Sequence, residues 1–197
     1  MTGVFSDLGR KARQAHTDRE LGFLLVNETL ALVPYRQAAL WLVEQGVWAL
    51  SGVLQVDANV PYTHWLDAVA KHLEQQPPSS ESRILTARDL PAELATQWGQ
   101  WWPTHALLLK SDSPGVAGLA FFVREELWTP DEVGELQEWA EVWWHAFAAL
   151  HQPRGIRIRR WRDRISSPPT GSAPSPPAST TTSPSRSIRT AWPSCSA

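Results

Sequence analysis

The sequence predicts an α+β domain, one antiparallel sheet of about five strands with helices on both faces, followed by a disordered tail. Three observations carry that expectation. Hydrophobic periodicity switches from 3.6 to two and back along the chain, so helices and strands are interleaved. The strand-like runs come in consecutive pairs separated by short turns, which joins neighbours antiparallel. Beyond residue 165, ten Ser, seven Pro and five Thr occur in the last 32 residues without a single acid, a composition that cannot bury a core.

With 197 residues and 43% apolar content, the chain holds one domain of ordinary size and an extension. A formal charge of -2 gives the whole protein no electrostatic pull toward nucleic acid. The lone cysteine, Cys195, excludes a disulfide framework and a cysteine-based metal site. Neither a signal peptide nor an apolar run long enough to span a bilayer is present, so a cytoplasmic protein is expected.

In chain order, residues 1–17 are polar and read as a flexible lead-in or a frayed helical start, and the domain is expected over 18–152. From Arg19 the apolar positions Leu21, Leu24, Leu25 and Leu32 predict a helix ending near Leu32, which Pro34 stops by removing a donor. Gln37–Glu44 and Trp48–Asp57 then alternate with period two around Glu44-Gln45-Gly46, a hairpin. Its first strand is apolar on both faces, so it should be covered above and below. Tyr62–Gln75 is an amphipathic helix behind Pro61, and 76–82 breaks it. Arg83–Thr86 suits a short strand, and one helix is expected from Leu90 to about Trp102. His105–Ser111 and Val116–Glu125 flank Asp112-Ser113-Pro114-Gly115 as a second hairpin. Thr129-Pro130-Asp131-Glu132 is a capping box. The stripe Val133, Leu136, Ala140, Trp143, Phe147, Leu150 behind it marks the clearest helix of the chain.

This order resembles the GAF/PAS type of sensor fold. More specifically, Asn27-Glu28-Thr29, then Leu32-Val33-Pro34-Tyr35-Arg36-Gln37-Ala38, Ser51-Gly52-Val53 and Asp57-Ala58-Asn59-Val60-Pro61 resemble the amino-terminal cytosolic GAF-like domain of bacterial HlyD-type membrane-fusion proteins. The resemblance covers Leu21 to Leu150. It implies a bacterial efflux or secretion adaptor in which a basic stretch, a transmembrane helix and a periplasmic domain follow. Here a basic segment, 153–165, is followed by the Ser/Pro/Thr tail at 166–197, which a shifted reading frame of GC-rich DNA would encode. Translation of the other two frames after codon 164 tests that expectation.

Candidate functional residues fall into three groups. Trp41, Tyr62, Trp65, Trp98, Trp101, Trp102 and Phe122 either line a ligand pocket between sheet and middle helices or form core. Asn27, Glu28, Pro34, Tyr35 and Arg36 are the structural motif; Asn27 and Glu28 either face a ligand cavity or, the favoured reading, act as internal braces to the adjacent hairpin, with Arg36 paired to Glu28 as its sharpest form. Arg157, Arg159, Arg160 and Arg162 suit contact with anionic lipid or a partner better than nucleic acid. The six histidines show no metal-ligand spacing, and no nucleophile motif, phosphate loop or dinucleotide fingerprint occurs. A non-enzymatic sensor or regulatory domain without cofactor or metal is therefore expected. The alternative is a purely structural module, dimerising through its first and last helices or docking on an export-system transporter.

Overall fold

The computed structural model describes residues 3–76, 82–111 and 116–151. The tail and Arg157, Arg159, Arg160 and Arg162 lie outside the described residues. One compact unit runs to Pro153.

The amino-terminal segment is a regular helix, α1 (Gly3–Gln14), which corrects the expectation of a flexible lead-in. Phe5, Leu8 and Ala12 recur at i, i+3 and i+7, and Leu8 and Ala12 are buried. The stripe is short and rich in small residues, so it becomes apolar enough only where it meets a partner helix. Thr17 caps α2 (Asp18–Asn27) by accepting from the Glu20 amide at 3.2 Å. A tight 3-10 turn, Glu28–Ala31, then replaces the last turn expected of that helix. Tyr35 and Thr29 both face this break, with Tyr35 Oη donating to the Val26 carbonyl at 3.0 Å.

Strands β1 (Gln37–Leu42) and β2 (Gly46–Leu50) form the first hairpin; β1 starts where expected but stops short of Glu44, and β2 starts before Trp48 and stops well short of Asp57. Gly46 takes φ +74, a left-handed conformation that favours glycine. Helix α3 (Pro61–Glu74) follows, then β3 (Ser82–Leu85). The single helix expected over Leu90–Trp102 is instead two short ones, α4 (Ala92–Ala95) and α5 (Trp98–Trp101). Strands β4 (His105–Lys110) and β5 (Gly118–Arg124) make the second hairpin, and α6 (Pro130–His151) closes the domain.

The sheet order is β2-β1-β5-β4-β3, with every pair antiparallel. Period-two alternation divides it into two cores. Ala38, Leu40, Leu42, Leu107, Leu109, Ala120 and Phe122 pack with α1, α2 and α6, whereas Ala39, Trp41, Ala106, Leu108, Leu119, Phe121 and Val123 pack with α3 and α5. Gly118 permits the close approach of β5 and β1, since a Cβ there would lie 2.7 Å from the Trp41 carbonyl and 3.0 Å from Trp144. The apolar stripe of α6 is filled within the chain, with Trp139 Nε1 donating to Thr29 Oγ1 and Trp143 Nε1 to the Leu21 carbonyl, both at 2.7 Å. Its outer face carries exposed Asp131, Glu135, Glu138 and Glu141.

Candidate functional site

Two places on the domain bear on function, the aromatic wall under the middle helices and an open groove beside α2. The wall gathers five of the seven aromatics singled out in the sequence. Tyr62 and Trp65 stack at 6.2 Å, and Trp65, Trp98 and Trp102 meet edge to face at 5.0–6.4 Å. Trp101 lies 5.6 Å from Tyr62. Trp41 is buried on the same face of the sheet, 2.8 Å from Asp67 through its indole N–H.

Phe122 does not belong to this group. It points to the opposite face, where it meets Tyr35 at 5.2 Å, because its register partner Ala38 also faces α2. Phe121 takes its place, 5.3 Å from Trp102.

The rings pack on one another, and their polar atoms bond within the chain. Trp65 Nε1 donates to the Leu94 carbonyl at 3.0 Å, Trp98 Nε1 to the Pro103 carbonyl at 2.5 Å, and Trp102 Nε1 to Tyr62 Oη at 3.0 Å. Burial pushes the Tyr62 phenol up to about 12, against the opposing bond from Trp102, so it is neutral at physiological pH. Burial disfavours ionisation of the Asp67 carboxyl, but bonds from Lys71 and Trp41 outweigh it and lower the pKa. The polar groups of the wall thus hold its own side chains in place. Thr63 Oγ1 and Trp101 Nε1, both buried, have no hydrogen-bond partner among the described residues.

The polar motif of the second helix is a set of braces, with one pairing to be corrected. Asn27 Oδ1 accepts from the Gly52 amide at 2.8 Å, tying α2 to the chain leaving β2. Arg36 does not pair with Glu28. It bonds Glu125 at 2.8 Å, while Glu28 bonds Lys11 of α1 at 2.6 Å. Arg36 enters β1 alongside β5, so its side chain reaches the end of that strand and not α2.

The buried arginine is Arg124, whose strand-end position carries no sequence signal of its own. All its donors are engaged: Nε to the Glu126 carbonyl, one terminal nitrogen to Pro34 and Glu132, the other to Leu127 and Glu132. It also lies 4.0 Å over the Trp128 ring. The Arg124 guanidinium and the cap bonds of Thr129 hold the Glu132 carboxyl down at about 2, outweighing its desolvation. The capping box expected at Thr129 is present in both directions, 2.9 Å and 3.3 Å.

The groove lies between α2 and the outermost strand, β2. It has a volume of about 740 Å³, with Phe23, Trp48, Val53 and Leu54 on its walls and Lys11, Arg19, Glu20 and Glu28 on its rim. Gly22 lets α2 settle on β2, where a Cβ would lie 3.4 Å from Ala49 and 3.5 Å from Trp48. A bulge in β2 opposite Leu40 and Trp41 leaves Trp48 without a register partner, on the α2 side of the strand. Among the described residues no three His, Cys, Asp or Glu converge to hold a metal ion. Nor is any described helix long and apolar enough to cross a membrane.

No protein-family model matches the chain, and no curated protein does. Solved structures do. The chromophore-binding domain of Stigmatella aurantiaca bacteriophytochrome superposes with a TM-score of 0.52 at 15% identity, over 74% of this chain and 59% of that one. The chain thus spans about three-fifths of that phytochrome fragment. The N-acylhomoserine lactone-dependent LuxR family transcription factor CepR2 from Burkholderia cenocepacia has a TM-score of 0.51 at 16% identity, over 77% of this chain and 94% of that one. At these identities the likeness is one of fold. The five-stranded antiparallel sheet with helices on both faces is the architecture expected from the sequence.

Proposed function

We propose that this chain is a non-enzymatic regulatory or interaction domain that works through contact with a partner protein, not through an occupied small-molecule pocket. The observation that supports it most is the closed aromatic wall. Between sheet and middle helices, where the sequence left room for a ligand, the rings of Trp65, Trp98, Trp102 and Phe121 pack on one another. Their indole hydrogens already have acceptors within the chain.

In this reading the domain is the cytosolic end of a bacterial HlyD-type export adaptor, an assignment supported by the Asn27-Glu28-Thr29 and Leu32–Ala38 strings. Its partner is then the export-system transporter, and the Arg157–Arg162 cluster faces anionic lipid or that partner.

A sensor reading keeps one observation, the unpartnered Thr63 Oγ1 and Trp101 Nε1 beside Tyr62. Benzene separates the two. It should raise the melting temperature of Trp102→Ala, whose removed ring opens a cavity, and leave the unmodified chain unchanged. An equal rise in the unmodified chain would restore the pocket.

A further inference from the structure

We propose that the chain pairs with a second copy of itself through the groove between α2 and β2, the Leu54 side chain of each copy entering the groove of the other. The pairing goes beyond the reading above and does not depend on it.

A knob and a hole lie side by side on this face. Leu54 is 98% exposed, and it stands at an apolar groove of about 740 Å³ whose walls include Trp48, Phe23, 48% exposed, and Val53, 44% exposed. The knob is held in place. Asn27 Oδ1 accepts from the Gly52 amide at 2.8 Å and the Val53 amide donates to the Leu50 carbonyl at 3.3 Å, so the turn that carries Leu54 is tied to α2. Gly52 takes φ +74 there, a conformation that suits glycine. Within its own chain Leu54 removes no apolar surface from water, and the groove of a second copy would do so. Because one molecule carries both parts, a two-fold axis uses each of them twice. Side chains make the contact, since the bulge opposite Leu40 and Trp41 interrupts β2 as a pairing edge and leaves Trp48 beside the groove.

Charge selects the occupant. The rim holds cations and acids in balance: Lys11 and Glu28 bond each other at 2.6 Å, and Arg19 and Glu20 are neighbours in sequence. A strongly acidic or strongly basic partner would lose at one pair member what it gained at the other. A second copy brings the same balanced rim, so each cation has an acid to face across the axis, whereas a rim of one sign would repel its own copy. That distinction separates this face from the other long helix surface of the domain. Helix α6 contains no Lys or Arg, and its outer face exposes Asp131, Glu135, Glu138 and Glu141, so two copies meeting there would bring like charges together. An apolar centre inside a mixed charged rim is the anatomy of a protein interface.

Sedimentation equilibrium of the full chain from about 1 μM to about 1 mM should show monomer passing into dimer. Leu54→Asp should stay monomeric over that range, with its melting temperature at the lowest concentration unchanged because the side chain is exposed. Two charge variants then test the rim. Arg19→Glu makes it net negative. Glu20→Gln combined with Gln55→Arg, on the same groove, makes it net positive while keeping an acceptor for the His16 amide. Each variant alone should self-associate about tenfold more weakly or worse, and an equimolar mixture of the two should dimerise as strongly as the unmodified chain. A chain that remains monomeric at about 1 mM overturns the proposal. So does a dimer that Leu54→Asp leaves intact, or a mixture of charge variants that dimerises no better than either alone. Binding of the unmodified chain to phosphatidylcholine vesicles that Leu54→Asp abolishes overturns it in favour of a lipid surface.

Discussion

The two faces of the sheet are held by different means. The first is covered by α1, α2 and α6, of 12, 10 and 22 residues, whose continuous apolar stripes lie on one another and on the sheet. The second has one comparable helix, α3, and then two helices of four residues each, too short to persist alone. What holds α4 and α5 is the set of indoles beneath them, anchored to carbonyls at Leu94 and Pro103 and to the Tyr62 hydroxyl. The first face thus combines long helices with rings of their own, Trp143 stacked on Phe147 at 4.8 Å, whereas on the second the rings alone hold two helices too short to stand. A ligand on the second face would have to displace the groups that hold it together.

Removing a ring breaks this comparison most directly. Trp102→Ala should cost about 3–5 kcal/mol in urea unfolding, because it deletes a buried indole touching Trp65, Trp98 and Phe121 at once. A loss near 1 kcal/mol would mean that α4 and α5 stand without the wall. On the first face, Arg124→Gln should cost about 2–4 kcal/mol, since it leaves carbonyls of Pro34, Glu126 and Leu127 without their donor.

The same pair predicts a pH dependence. The Glu132 pKa is depressed to about 2 in the fold, against 4.5 ordinarily. Its contribution is therefore complete above about 4.5 and lost as pH falls toward about 2. Thermal melts between those values should fall less steeply in Glu132→Gln than in the unmodified chain. Asn27→Leu should cost about 1 kcal/mol, the loss of the Gly52 acceptor. Smallest of all, Arg36→Ala should change the melting temperature little, within about 0.5 kcal/mol, because its ion pair with Glu125 is exposed.

Much of the first face was legible in the chain. The capping box at Thr129 and the stripe from Val133 to Leu150 announced α6, and Pro34 and Gly46 placed a stop and a turn. The braces were legible as a type but not as partners. Asn27 required an acceptor or donor once half-buried, yet only the fold brought Gly52 to it. The pairing of Arg36 with Glu28 failed because β1 carries Arg36 toward β5 and away from α2. Phe122 and Phe121 are adjacent in sequence and opposite in space, so which one joined the tryptophans depended on strand register. Arg19 and Trp48 carried no signal, since a groove exists only where α2 meets an edge strand.

By itself, then, the sequence determined the class of fold, the order of elements and the alternation that gives the sheet two buried faces. These depend on periodicity, prolines and turn residues, which act over a few positions. Tertiary structure alone decided that the aromatics close on one another, that Arg124 is the buried cation, and that β2 lies at an edge with a groove beside it. Each of those rests on contacts between residues far apart in the chain, where strand order and register set the neighbours and local pattern does not.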